Sequence, residues 1–147
     1  KNDNLYQRVY DRFARASGLD TYKCRLLDRG AYGWSEFLHT DKCESRDAVG
    51  RYYRRLGIQL FICYLYSIKD MHYENIMAVG EYPVLVDLET FPGRSWQNED
   101  GDIQSQALIK LANSTLTTGA LPMAVWNFDG RGVRLGALVW AGGRSFR

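Results

Sequence analysis

The sequence predicts a single α+β domain, and three observations carry that prediction. Residues 46–67 show helical periodicity and become apolar on all sides in their second half. That helix delivers residues 69–75, too polar for a core and too short for a linker. Two β-rich runs around a Gly- and Pro-containing turn follow at once, the pattern of a hairpin.

Taken in order, Asp3 to Ala16 is predicted as a helix, with Leu5, Val9, Phe13 and Ala16 at helical spacing and Gly18 as its stop. Tyr22 to Asp28 reads as a strand centred on Leu26-Leu27, and Trp34 to Leu38 as a second extended segment beyond Gly30 and Gly33. Thr40 to Glu44 is a polar loop. Ser45 is the expected N-cap of the long helix, with Asp47 in its first turn. Val49, Tyr52, Tyr53, Leu56, Leu60, Cys63 and Tyr64 mark its expected buried stripe, with Leu60, Phe61 and Tyr64 fully packed. Ile76–Val79 and Val84–Leu88 are the hairpin strands around Gly80-Glu81-Tyr82-Pro83. Pro92 to Asp102 is a polar loop carrying Trp96. Ile103 to Ala112 is a helix with Ile103, Ala107, Leu108 and Leu111 aligned. Met123–Phe128 and Leu135–Val139 are strand-like.

Composition bounds the function. The 147 residues amount to one average domain, large enough to bury roughly two-thirds of the unfolded surface without disulfides or metals. Nineteen basic against 17 acidic residues leave a net charge of +2, which argues against nucleic-acid binding driven by phosphate contacts. No run reaches the ~18–20 apolar residues of a membrane span, Ile58 to Ile68 being the best. The amino terminus has no apolar signal region and no Met, and both ends look cut, so residues 1–147 are read as a single partial domain. Cys24, Cys43 and Cys63 form no CxxC pair. They suit a reducing, cytoplasmic setting without structural zinc in this segment, and are read as buried small hydrophobes.

The chemistry-bearing unit is Asp70-x-His72-x-x-Asn75, then the hairpin, then Asp87-x-Glu89. Phosphoryl transfer needs a carboxylate facing the accepting hydroxyl and hard oxygen ligands for Mg²⁺. Protein kinases place a metal-binding Asn five positions after the catalytic Asp, and a second metal-binding Asp after the next hairpin. Asn75 lies five positions after Asp70 and Asp87 seventeen, which predicts a protein-kinase-like core. Any one of these residues could merely satisfy loop backbone, as Asx-turns do; the ordered set favours function. A zinc hydrolase is disfavoured, because His39 sits in a different loop from His72.

Further runs carry a resemblance. Asp28-Arg29-Gly30-Ala31-Tyr32-Gly33-Trp34-Ser35-Glu36-Phe37 resembles the D-R-G-x-Y-G-W-x-E-F stretch of the LanM lanthionine synthetases. So do Tyr52-Tyr53-Arg54-Arg55-Leu56-Gly57, the segment from Asp70 to Ile76, Gly80 to Thr90, and Thr118-Gly119-Ala120-Leu121-Pro122. The matches cover residues 24–122 in order.

The resemblance implies the central part of a class II lanthipeptide dehydratase domain. Its core would be lipid-kinase-like, mainly the C-lobe, with ATP and Mg²⁺ as cofactors. Such enzymes phosphorylate Ser and Thr of a ribosomally made precursor peptide and then eliminate phosphate to dehydroalanine and dehydrobutyrine. A zinc-dependent cyclase domain of the same protein, outside this chain, joins these to Cys. Asp70 would be the catalytic carboxylate, His72 its active-site partner, Asn75 and Asp87 the Mg²⁺ ligands, and Glu89 the end of the D-x-E motif. The family setting is cytoplasmic, peripheral to the membrane through a peptide exporter.

Tyr32, Trp34 and Phe37 are read as packing at the lobe interface, and Arg54 and Arg55 as solvated. The family's G-D-x-H-x-x-G-R segment and Y-K-P-R lysine have no match here, so the chain alone is expected to be inactive. The rivals are a small-molecule kinase of the aminoglycoside or choline phosphotransferase type and a non-catalytic peptide-binding module. The former usually reads H-G-D-x-H-x-G-N where this chain has Ile68-Lys69-Asp70 and Tyr73-Glu74.

Overall fold

The computed structural model describes residues 2–97, 102–126 and 132–136, which mix helix and antiparallel sheet. Helix α1 (Asn2–Ala16) buries Tyr6, Tyr10 and Ala14, one residue per turn. The expected line of Leu5, Val9, Phe13 and Ala16 is therefore displaced. Leu5 and Ala16 are exposed, whereas Val9 and Phe13 flank the core. Burial of the tyrosine rings decides the rotation: Tyr6 stacks on Tyr10 at 6.1 Å and meets Phe91 edge-on at 5.6 Å.

Two three-residue strands, β1 (Leu26–Asp28) and β2 (Gly33–Ser35), pair antiparallel, Leu27 opposite Trp34. Both are shorter than the segments expected there. Tyr32, Trp34 and Phe37 are exposed, so the packing role read for them is not met among the described residues. Phe37 keeps an edge contact with the His39 ring at 4.9 Å.

Helix α2 (Arg46–Leu65) begins as expected, the Ser45 hydroxyl accepting the Ala48 N–H at 3.1 Å. Its buried face is Ala48, Arg55, Leu56, Gln59, Ile62 and Cys63. The predicted stripe is corrected accordingly. Val49, Tyr53 and Tyr64 are exposed, Leu60 is half-buried, and the second half is not enclosed: Phe61 is 47% and Leu65 51% exposed. Hydrophobic periodicity misses this face because two of its members are polar. Gln59 donates from Nε2 to the Pro83 carbonyl at 2.8 Å.

Arg55, expected in solvent, is 1% exposed. It donates from Nε to the Asp20 carbonyl at 2.9 Å and from Nη1 to the Glu81 carbonyl at 3.2 Å. It also pairs with the carboxylates of Asp20 and Glu81, and its guanidinium lies 4.2 Å from the Tyr82 ring centre. Tyr82 in turn donates its hydroxyl to Asp20 at 2.8 Å.

That cluster grips the turn of the predicted hairpin, formed by β3 (Ile76–Val79) and β4 (Tyr82–Leu85) with Met77 opposite Val84. Gly80 takes φ +58 at the first of two turn residues, a conformation that favours glycine. Helix α3 (Ile103–Ala112) is capped by Asp102, whose Oδ1 accepts the Ser105 N–H at 2.8 Å. It buries none of its residues, and Ile103, Leu108 and Leu111, aligned at helical spacing, are exposed. A 3-10 turn (Thr115–Thr118) follows, then β5 (Met123–Trp126) paired antiparallel with β6 (Gly132–Leu135). The expected strand over 135–139 lies largely outside the described residues.

The core joins α1, α2, the loop after α2 and the segment after β4 through Tyr6, Ile62, Ile68, Met71, Leu88 and Phe91. Cys63 is buried, whereas Cys24 and Cys43 are only partly so, and all three are free thiols. Among the described residues no helix is long and apolar enough to cross a membrane.

The two faces of α2 predict a contrast. Ile62→Ala should cost about 2–5 kcal/mol in chemical denaturation, because it leaves a cavity against α1. Phe61→Ala should cost about 1 kcal/mol, since its main loss is one edge contact with Phe13 at 5.6 Å. Equal losses would contradict the observed orientation of the helix.

Candidate functional site

The loop after α2 and the segment after β4 form a closed frame. At one end, the Lys69 N–H donates to Thr90 Oγ1 at 3.3 Å, and that hydroxyl donates back to the Lys69 carbonyl at 3.0 Å. At the other end, the Val86 N–H donates to the Asn75 carbonyl at 2.9 Å. Asp70, His72 and Asn75 thus lie on one side of the frame, and Asp87 and Glu89 on the other.

Both aspartates hold left-handed backbone, Asp70 at φ 67 and Asp87 at φ 58. L-residues with side chains seldom adopt this region; each instance costs about 1–3 kcal/mol and persists only where its surroundings enforce it. Around Asp70 the enforcing contacts are explicit. Lys69 is pinned through its backbone by Thr90, and its Nζ donates to the Ala112 carbonyl and to Thr117 Oγ1, each at 2.6 Å. Burial pushes that ammonium below its ordinary pKa. Met71, wholly buried, donates its N–H to the Thr118 carbonyl at 2.8 Å. Gly119 sits so close (φ +82) that a Cβ there would lie 2.9 Å from the Met71 nitrogen. Asn75 Nδ2 closes the loop by donating to the Asp70 carbonyl at 2.8 Å.

His72 Nδ1 accepts the Glu74 N–H at 3.2 Å, capping the 3-10 turn Tyr73–Asn75. The neutral ring therefore carries its proton on Nε2, 3.5 Å from Asp70 Oδ1, where it faces that carboxylate. Asp70, Asp87 and Glu89 are exposed, and Asn75 and His72 half-buried.

A cleft of about 400 Å³ opens beside the frame, between α1, β2 and the hairpin. Its walls include Tyr6, Leu26, Met77, Leu85 and Leu88, with Asp87 on the side toward the frame. Of the five residues singled out in the sequence, Asp87 lines the cleft, whereas Asp70, His72, Asn75 and Glu89 stand outside it.

The donor chemistry fits Mg²⁺. With Nδ2 of Asn75 engaged by Asp70, its Oδ1 is left as a hard acceptor, and the Asp87 carboxylate is a second. No group of three His, Cys, Asp or Glu able to hold a metal occurs among the described residues.

Sequence reasoning missed the supporting residues Lys69, Thr90 and Glu36, and gave Thr118 and Gly119 no task. Glu36, Thr90, Thr118 and Gly119 stand in runs that carry the resemblance, and Gly119 is also a glycine in a turn-like Thr-Gly-x-x-Pro run.

A family model described as "Domain of unknown function (DUF4135)" matches residues 1–146. The chain belongs to the DUF4135 family. A curated relative, "Lacticin 481/lactococcin biosynthesis protein LcnDR2" of Lactococcus lactis subsp. lactis, is 30% identical over 128 residues, 82% of this chain. The matched part is 14% of that relative's length. Together these matches bear out the resemblance to LanM-type synthetases.

Glu36 of the DUF4135 chain, on the cleft wall, gives a pH prediction. The Tyr22 hydroxyl, then the N–H and guanidinium of Arg25, all donate to its carboxylate and pull its pKa from 4.5 down to about 2. A depressed carboxylate stabilises the fold above its unfolded pKa and loses that contribution as pH falls through the folded value. Denaturation midpoints should therefore fall between pH 4.5 and about 2, and Glu36→Gln should flatten that slope. An identical slope in the variant would contradict the assignment.

Proposed function

We propose that this chain supplies the phosphoryl-transfer centre of a kinase-like lanthipeptide dehydratase. ATP with Mg²⁺ would phosphorylate Ser and Thr hydroxyls of a precursor peptide, ahead of phosphate elimination. The observation that carries the reading is the frame itself. Two aspartates in enforced left-handed backbone are locked onto facing segments, one of them bordering an apolar cleft fit for a planar base. The relative's role in lacticin biosynthesis supports a peptide as the molecule modified.

In this reading the cleft takes the nucleotide base and Asp87 meets the phosphate end. Asn75 and Asp87 would hold Mg²⁺, which supplies charge neutralisation on the phosphates. Asp70 stands on the opposite side of the frame, exposed to an incoming peptide. Its carboxylate would orient the Ser or Thr hydroxyl and accept its proton as the oxygen attacks the γ-phosphorus and the bond from that phosphorus to the bridging oxygen breaks, releasing ADP. His72 Nε2 lies 3.5 Å from that carboxylate, close enough to approach it as the hydroxyl binds. Glu89, exposed beyond Asp87, completes the acidic side.

The aspartates should fail differently in the natural full-length protein. Asp70→Asn should leave Mg²⁺-dependent ATP binding intact while lowering peptide modification by about 10²-fold or more. Asp87→Asn should weaken the Mg²⁺-dependent part of nucleotide binding itself. Nucleotide titration with and without Mg²⁺, paired with mass spectrometry of the peptide, separates the two. Metal-dependent binding lost in Asp70→Asn and kept in Asp87→Asn would reverse the roles.

A further inference from the structure

We propose that Thr90 is the positioning residue that sets Asp70 against Asp87, an inference that rests on the phosphoryl-transfer reading. Its hydroxyl is a two-way link: it accepts the Lys69 N–H at 3.3 Å and donates to the Lys69 carbonyl at 3.0 Å. Lys69 immediately precedes Asp70, and Thr90 lies three residues beyond Asp87. One hydroxyl therefore ties the backbone entering the proposed acceptor side to the backbone leaving the proposed metal side.

Both ends of this link are themselves anchored. Leu88 and Phe91, on either side of Thr90, are buried, and the Phe91 ring sits against Tyr6 at 5.6 Å and Tyr66 at 5.5 Å. The Gly93 N–H donates to the Tyr66 carbonyl at 2.9 Å, and a Cβ on Gly93 would come within 2.0 Å of the Ser67 carbonyl oxygen. The segment after Asp87 is thus a fixed platform on the end of α2. The opposite corner of the frame, Val86 to Asn75, is a backbone pair that any side chains would permit. Thr90 is the side chain at the other corner.

Without its hydroxyl, the Lys69 N–H and carbonyl lose this partner; the Lys69 side chain stays on Ala112 and Thr117, but the backbone entering the left-handed Asp70 loses its direct tie to the segment after Asp87. Met71, tied to Thr118, still holds the other side. Asp70 would then swing relative to Asp87 while the cleft and Asp87 keep their places and the Asn75 backbone stays tied to Val86.

The test uses the natural full-length protein with Thr90→Val, which keeps the shape and removes the hydroxyl, and Thr90→Ser, which keeps the hydroxyl. Thr90→Val should lower kcat for peptide phosphorylation by about 10–100-fold, with the Kd for ATP and Mg²⁺ changed by less than about threefold. Thr90→Ser should restore kcat to within about threefold of the wild type. Thermal unfolding of both variants accompanies the kinetics. An unchanged kcat in Thr90→Val overturns the inference. So does a loss of kcat, nucleotide affinity and Tm in parallel that Ser does not restore, because that pattern is structural. Wild-type protein that binds no ATP and modifies no peptide in its presence would instead remove the phosphoryl-transfer reading, and this inference with it.

Discussion

The burial of Arg55 is the constraint on which the arrangement depends. A guanidinium cannot shed its proton, so placing it at 1% exposure is tolerable only where its donors all find acceptors. Asp20, after α1, and Glu81, in the hairpin turn, supply carbonyls and carboxylates from two directions, and Tyr82 supplies a ring face. The acids respond. Tyr82 and Arg55 lower the pKa of Asp20, and Arg51 and Arg55 that of Glu81, so both remain ionised. A two-stranded hairpin of four-residue strands is marginal by itself in water. Fastened to α2 by its turn, it becomes a rigid arm whose far end carries Asn75 and Asp87.

Rigidity is what the proposed chemistry uses. Phosphoryl transfer gains most of its rate from position and charge, and little from covalent participation by the protein. The frame between residues 69–75 and 86–90 does this work with a few hydrogen bonds. Its backbone strain at Asp70 and Asp87 is held by contacts from parts of the chain remote in sequence. Tethering Lys69 to the last turn of α3 places a cation near that helix's carbonyl end, where the helix dipole favours it.

Much of this was legible in the sequence, and the limits have physical causes. The helices expected at 3–16, 46–67 and 103–112 and the first hairpin strand are met to within two residues, whereas the second strand runs Tyr82–Leu85 and not Val84–Leu88, because the turn takes two residues instead of four. The buried faces were not legible. Tyr6 and Tyr10 carry hydroxyls yet bury large rings, and Arg55 and Gln59 are buried because distant acceptors exist, which no local pattern reveals. Ile103, Leu108 and Leu111 of α3 and Phe61, Tyr64 and Leu65 of α2 face outward among the described residues, whereas Ile62 and Cys63 are buried, so apolar character there did not tell the inner face from the outer. The five residues singled out in the sequence form one ordered set because a short loop and a tight hairpin keep them near one another in the chain. Thr90 was quoted only as the end of a run, and its link went unread since its partner, Lys69, lies 21 residues away. Thr118 and Met71 are farther apart still, and only the fold brings them into contact.

The central claim is that the two aspartates act on opposite sides of one phosphoryl-transfer centre. The most direct measurement is a crystal structure of the full-length protein with a non-hydrolysable ATP analogue and Mn²⁺ in place of Mg²⁺, the ion located by its anomalous scattering. The account predicts Mn²⁺ on Asn75 Oδ1 and the Asp87 carboxylate, the base in the apolar cleft, and Asp70 free of the metal beside the terminal phosphate. A nucleotide bound elsewhere, or Mn²⁺ held by Asp70 while Asp87 stays unligated, would contradict it.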